Sequence, residues 1–254
     1  RTYCWNNRYT EYGMSEVISS LAPHYHWQAA LLVLAGVIVA TKLGHILVFR
    51  SPALQRMRDI NKEEDNKKIA KEKYPPVMRA SRNVGLLTNI VFLVVILPFC
   101  VTLHLDSFWW ILLDSIIILM VYDFFYYLCH RFWFHGNGWM RKIHAVHHQA
   151  RHPTFIDAYY VHPVETFVGV ALFLGSLALL AAVLGPFHVI TVIITSVIFT
   201  QLNIINHTYV DLPYRPFRTL SWITAKHRVH HENMHKGNYA TITLLYDKLF
   251  GTLD

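Results

Sequence analysis

The sequence predicts an all-α, polytopic membrane protein: about four to five transmembrane or re-entrant helices with a histidine-rich helical cap on the cytoplasmic side. Three observations predict it. Of the 254 residues, 54% are hydrophobic and only 15% charged, which is too apolar for an ordinary soluble domain. The apolar residues are gathered into segments of about 20 residues, the length at which a helix crosses the hydrocarbon core. Seventeen histidines, several of them clustered between those segments, need a chemical explanation that burial alone does not supply.

The chain divides into a non-membrane segment over 1–26, a first transmembrane helix with a basic loop over 27–83, and a membrane unit over 84–254. The first apolar segment runs from Trp27 to Phe49, the second from Val84 to Leu105 and the third from Phe108 to about Leu128. The fourth covers Thr166–Leu184 and the fifth Phe187 to about Ile205. Only Gly185 and Pro186 separate the last two, a turn signal that makes them a helical hairpin, either fully spanning or re-entrant.

Charge sets the topology. Arg56, Arg58, Lys62, Lys67, Lys68, Lys71, Lys73 and Arg79 crowd the stretch 50–82, which the positive-inside tendency places in the cytoplasm. Glu63, Glu64, Asp65 and Glu72 are mixed among them, so the stretch reads as a solvated or interfacial helix. A short loop at Asp106 and Ser107 lies on the far side, and alternation then returns every histidine cluster to the cytoplasmic face. The net charge of +7 is concentrated where it meets anionic lipid, which weighs against nucleic acid as a partner. Cys4, Cys100 and Cys129 form neither a disulfide framework nor a CxxC pair. The start carries no Met and no cleavable signal pattern, so a trimmed or processed N-terminus is expected.

The histidines form three clusters: His130 and His135 in HRFWFH, His144, His147 and His148 in HAVHH, and His227, His230 and His231 in HRVHH. Residues three and four apart share a helix face, so each HxxHH triplet aims its imidazoles into one sector of roughly 100°. Two facing triplets and the first pair supply enough nitrogen ligands for two metal ions. His162 in HPVE and His207 in NHTY sit at helix ends on the same side and extend the set. His152 and His235 lie close to the clusters with a weaker claim, while His24, His26, His45, His104 and His188 read as interfacial or core residues.

Imidazole suits zinc, copper, iron and nickel alike. A structural zinc site closes with four ligands, whereas about ten histidines suit two metals with some five ligands each and room for dioxygen. HExxH is absent, which removes the general base of a zincin protease. A transporter would place its ligands near the bilayer midplane, not at helix ends.

These motifs resemble the fatty acid hydroxylase and sterol desaturase superfamily over roughly Asp123 to the C-terminus. DFFYYLCHRFWFH resembles its first motif, with Asp123, Tyr127, His130, Arg131 and His135; HAVHH and HRVHH resemble its later boxes. HPVE, NHTYVDLP and GNYATITLLYDKLFGT are similar to the intervening and C-terminal motifs, the last carrying Asn238, Tyr239 and Asp247. The resemblance implies two Fe ions and an external electron donor such as cytochrome b5 or a ferredoxin with its reductase. It implies O2-dependent hydroxylation of an unactivated C–H bond in a sterol, fatty acyl or ether lipid, with desaturation as the alternative outcome. The membrane would be the bacterial inner membrane or the endoplasmic reticulum.

Asp123, Glu165, Asn238 and Asp247 are carried over as catalytic residues, the three carboxylates being placed to orient imidazoles through their free N–H groups. Asp123 lies inside an apolar stretch, where a charge is usually functional. The chain departs from the family pattern in the four residues inside its first box, in Ala240 where glycine is common, and in Thr208 and Tyr209 in place of a Ser-Gly pair. No HPGG haem motif is present.

Overall fold

Long helices form where hydrophobic length demands them, and a computed structural model describes them over residues 19–105, 107–210 and 217–254. Cys4, most of the segment 1–26, Asp106 and the DLP of NHTYVDLP lie outside the described residues. The elements are α1 (Trp27–Val48), α2 (Pro52–Ile69), α3 (Tyr74–Val95), α4 (Leu97–Cys100), β1 (Val101–Thr102) and α5 (Phe108–Cys129). A wide turn over His130–Phe134 extends α5, and α6 (Met140–His147), α7 (Pro163–Leu184) and β2 (Phe187–His188) follow. The chain continues through α8 (Val189–Asn206), α9 (Phe217–Glu232) and α10 (Leu245–Leu249).

Among the described residues, four stretches are long and apolar enough to cross a bilayer: α1, α5 with its extension to Phe134, α7 and α8. The second expected segment, Val84–Leu105, is not one span. Its helix begins at Tyr74, ahead of the apolar run, and stops at Val95; Pro98, which has no N–H to donate, sits in the short α4, and the chain then becomes extended at Val101. Helix α3 is amphipathic, with Leu87, Val91 and Val94 exposed and Ser81 and Phe92 buried.

The hairpin of α7 and α8 runs the full depth of the bundle. Gly185, at φ 98°, ends α7 in a conformation that suits glycine. The next residues form β2, which pairs in parallel with β1, Val101 opposite Phe187 and Thr102 opposite His188. The Pro98 carbonyl accepts from the backbone N–H of His26, which puts the start of α1 at that same end. The hairpin is therefore a pair of full-length helices, not a shallow re-entrant loop.

Helix α5 is packed between α7 and α8, α3 lies along α7, and α1 lies along α8. Phe173 and Phe199 stack at 4.2 Å, and Tyr122 meets both rings edge-on at 5.7 and 5.1 Å. Two serine hydroxyls in the bundle return to their own helix: Ser115 and Ser176 each donate to the carbonyl four residues earlier at 2.7 Å. Polar groups in hydrocarbon are satisfied internally in this way. Outside, Leu31, Leu47, Trp109 and Val183 are exposed, as a lipid-facing surface requires.

The basic stretch is docked over one end of the bundle. Asn61 pairs with the backbone of Tyr209 through both its oxygen (3.0 Å) and its nitrogen (2.9 Å), and Asp65 accepts from the N–H of Ile156 at 3.2 Å. Lys68 forms an ion pair with the fully buried Asp157.

Candidate metal centre

The imidazoles converge at the end of the bundle opposite the β1–β2 pair. The first cluster gets there through the wide turn: the N–H of His135 reaches back five residues to the carbonyl of His130 at 3.0 Å, a π-type turn. That extra residue per turn brings His130 and His135 to the same side, their rings 5.0 Å apart. It also accounts for the four residues within this box.

The histidines form two groups, His130, His135, His144, His148 and His230 in one and His147, His207, His227 and His231 in the other, with the ligand atoms of each group within 4.8 Å of one another. All are buried apart from the half-buried His135. Each HxxHH triplet is divided. At about 100° per residue, positions i and i+4 lie about 40° apart while i+3 falls about 60° to the other side of i. His144 and His148 thus enter the first group and His147 the second; His227 and His231 enter the second and His230 the first.

Hydrogen bonding settles where the ring protons sit. Nδ1 of His130, His135 and His230 faces the carbonyl of Tyr239 (2.7 Å), Met234 (2.8 Å) and Gly237 (2.8 Å), and Nδ1 of His144 faces Oε1 of Glu165 (2.7 Å). In the second group, Nδ1 of His147 faces the Tyr160 carbonyl (3.2 Å) and that of His207 the Asn203 carbonyl (2.7 Å). Carbonyls and carboxylates only accept, so these rings carry the proton on Nδ1 and a bare lone pair on Nε2.

The Nε2 atoms of these rings face one another and those of His148 and His227. Nε2 of His144 lies 3.1 Å from that of His130 and 2.9 Å from that of His148, and His130 lies 3.1 Å from His230. Nε2 of His207 lies 2.9 Å from His147 and 3.1 Å from His227. Nε2 of His135 is buried with no hydrogen-bond partner among the described residues.

Such approaches repel unless a cation lies between them. A proton is disfavoured, because burial holds His144, His148, His227, His230 and His231 well below the usual imidazole range and pushes His135 down to about 4. Convergent neutral imidazoles, six of the nine with Nδ1 anchored and those of His148, His227 and His231 buried without a partner among the described residues, suit the donor set of a metal ion.

The carboxylates divide by role. Glu165 is the one carboxylate among the described residues that touches an imidazole of either group, and its Oε2 is buried without a hydrogen-bond partner. Asp123 touches none: it accepts from the N–H groups of Thr241 (2.9 Å), Ile242 (2.9 Å) and Thr243 (3.1 Å) and from the Thr243 hydroxyl (3.1 Å). Asp247 likewise accepts from the N–H groups of Tyr239 (2.8 Å) and Ala240 (2.9 Å). Both hold the segment 237–243, whose Gly237 and Tyr239 carbonyls fix His230 and His130.

Asn238 adopts φ 66° and donates to the Lys226 carbonyl at 3.0 Å, so it too shapes this segment. A side chain at Gly237 would run into the Thr252 carbonyl, which explains the glycine. His162 is not brought into either group; its Nδ1 accepts from the N–H of Val164 at 3.2 Å and caps α7. His152 is exposed and pairs with Glu232 at 3.3 Å, and His235 is exposed as well.

Sequence reasoning missed Asp157, which accepts from the Tyr74 hydroxyl (2.9 Å) and the Thr154 N–H (2.7 Å) as well as from Lys68. It organises the turn that presents the Tyr160 carbonyl to His147. Its signal was an acid inside FIDAYY, between two histidine motifs. A cavity of about 670 Å³ adjoins the second group, with His147, His207 and Glu165 in its wall.

Long apolar helices capped by paired imidazole groups define an integral membrane protein with a histidine-built centre. The fatty acid hydroxylase family matches residues 115–252, just over half of the chain, and the chain belongs to that family. It is 31% identical over 141 residues to a putative methylsterol monooxygenase of Dictyostelium discoideum, covering 53% of this chain and 48% of that protein. It is 30% identical over 135 residues to methylsterol monooxygenase 1 of Rattus norvegicus, covering 52% and 44% respectively. A very-long-chain aldehyde decarbonylase of Oryza sativa subsp. indica is 29% identical over 150 residues, 57% of this chain and 54% of that one. The chain spans about half the length of the curated relatives it matches. No solved structure matches it.

Proposed function

We propose that this chain is a lipid-oxidising di-iron monooxygenase that hydroxylates an unactivated C–H bond of a membrane lipid, using O2 and electrons from a separate donor protein. The observation that carries this reading is the convergence of buried, unprotonated Nε2 atoms into two adjacent groups. Its oxidative chemistry is supported by family membership and by the names of the relatives. His130, His135, His144, His148 and His230 would hold one ion, and His147, His207, His227 and His231 the other. Iron, when bound, would supply the activation of dioxygen, which is itself the oxidant.

The chain's own residues do the rest. Carbonyls of Met234, Gly237 and Tyr239 hold three imidazole protons, and Glu165 holds that of His144 while contributing negative charge to a site of neutral ligands. Apolar walls of the cavity exclude water and bind the hydrocarbon. Residues 84–254 form the catalytic unit, with 27–83 docked on it. The positive-inside tendency of the basic stretch supports a cytoplasmic face for the centre.

The test is elemental analysis of anaerobically purified protein together with lipid profiling of cells with and without it, with His147→Ala as control. Iron near two per chain and a new oxygenated lipid lost in the variant are expected. Turnover retained by metal-depleted protein would sink the proposal.

A further inference from the structure

A second cleft, of about 590 Å³, lies between α2 and α9 and shares no wall residue with the cavity beside the second imidazole group. That volume suits a small molecule. Its buried polar side chains are Thr154, Asn206 and Thr224, and Ile60, Pro153 and Ala225 add apolar wall.

The rim is cationic, and its charges are unequally spent. Lys68 gives its ammonium to Asp157, the Thr154 hydroxyl and the His152 carbonyl, three acceptors for three protons. Arg228 gives Nε to Glu232 at 2.9 Å, and its terminal nitrogens have no acceptor among the described residues. Lys71 and Arg151 have neither an ion pair nor a side-chain hydrogen bond among the described residues. Glu64 is the single carboxylate among the described wall residues, and Lys67 already binds it at 2.7 Å. Gln149 accepts from Lys73 and Tyr160 through Oε1, which leaves its NH2 group as a further donor.

Two unpartnered cationic heads call for an anion of about two charges. A phosphate monoester carries about −1.5 to −2 at pH 7 and offers three acceptor oxygens. Guanidinium groups match its geometry bidentately. A carboxylate, with one charge, would leave one of the two cations uncompensated. A bare phosphate would leave the apolar wall uncovered.

The cleft is joined to the second imidazole group. Asn206 and Thr208 in its wall flank His207, and Arg228 follows His227. Lys68 and Thr154 hold Asp157, the acid of the turn whose Tyr160 carbonyl faces His147. Three of the four histidines in that group are therefore carried or held by segments that line the cleft.

We propose that this cleft binds a phosphate monoester on a small organic body, as an effector of the second imidazole group. Arg151, Lys71 and the terminal nitrogens of Arg228 take the phosphate, and the organic body lies on Ile60, Pro153 and Ala225. The effect on the imidazoles rests on the proposed metal reading; the binding itself does not. A soluble compound and a lipid headgroup are the two sources of such a phosphate.

Equilibrium dialysis of the full chain in phosphatidylcholine nanodiscs against radiolabelled phenyl phosphate tests the site. Saturable binding of one molecule per chain is expected, and Arg151→Gln and Lys71→Gln should each weaken it about tenfold. Lys62→Gln, an exposed change on α2 outside the wall, should leave it unchanged. Acetate at matched ionic strength should not displace the ligand. Loss of phenyl phosphate binding in nanodiscs that carry phosphatidic acid would assign the lipid source, and undiminished binding the soluble one. In cobalt(II)-loaded protein, phenyl phosphate should shift the spectrum. That shift should persist in His230→Ala and vanish in His147→Ala and in the double variant Arg151→Gln, Lys71→Gln. Absent binding, displacement by acetate, or wild-type affinity in both single variants would overturn the site. Binding with an unchanged spectrum, or a shift that survives in the double variant, would overturn the effector role. A chain that binds phenyl phosphate but takes up no metal would sink the oxygenase reading and leave the site standing.

Discussion

Glu165 offers the sharpest test of how the centre is held. It is the single carboxylate among the described residues that contacts an imidazole of either group, with Oε1 2.7 Å from Nδ1 of His144, and it is only 5% exposed. Every other anchored Nδ1 faces a backbone carbonyl, which no substitution removes. Replacing Glu165 by Leu takes away the acceptor that fixes the tautomer of His144 and the one adjacent negative charge. Losing such a partner lowers metal affinity by about 10–100-fold, or about 1.4–2.8 kcal/mol.

Glu165→Gln keeps an acceptor oxygen for Nδ1 but loses the charge, and should fall between the wild type and Glu165→Leu. The assay is a competition titration of purified protein against a chelator of known affinity, with cobalt(II) as a spectroscopic probe. The first group should weaken more than the second, since Nδ1 of His147 and His207 face carbonyls and feel only the loss of charge. Wild-type affinity in Glu165→Leu, or equal weakening of both groups, would refute the reasoning.

Because the triplets are divided, His230→Ala and His147→Ala should each lower metal content by about one ion of the proposed pair while the protein still inserts, as elemental analysis would show. Equal loss of both ions from each variant would contradict two separable groups. Asp123→Asn keeps one acceptor oxygen but opposes an amide NH2 to a backbone donor, at a cost of about 1–3 kcal/mol for the buried group left unsatisfied; thermal unfolding in detergent should fall, and metal retention with it, because the 237–243 segment is loosened. Asp157→Asn should act through the Tyr160 carbonyl on the second group alone, shifting its cobalt spectrum and sparing that of the first. For metal-free protein, burial lowers His135 to about 4 against an unfolded value of about 6.5, so the unfolded chain takes up protons first. Stability is therefore greatest above about pH 6.5 and is lost as pH falls towards about 4; a melting temperature that held or rose on acidification would contradict the burial of these imidazoles.

Several features were legible in the sequence because they are local. Hydrophobic length marked α1, α5, α7 and α8, and helical spacing marked the three histidine clusters. Gly185 and Pro186 marked the hairpin turn. Other features were hidden for a common reason: they depend on which distant segments meet. The apolar content of Val84–Leu105 suggested a span, but Pro98 and the pairing of Val101 with Phe187 break it. Asp123, Glu165 and Asp247 were equivalent as acids near histidine motifs, and only packing showed that Glu165 reaches a ring while the other two hold backbone.

The sequence by itself determined that this chain is a bundle of apolar helices with a histidine-rich end, since segment length and residue spacing are properties of single helices. Tertiary structure alone decided that each HxxHH triplet serves both groups, that His207 joins one of them and His162 does not, and that the lone pairs converge unprotonated. Those outcomes rest on angles of about 100° between neighbouring residues, on a π-type turn at His130, and on carbonyls supplied from more than ninety residues away, as Tyr239 is to His130. No single segment carries that information, because a ligand set exists only where helices distant in sequence meet.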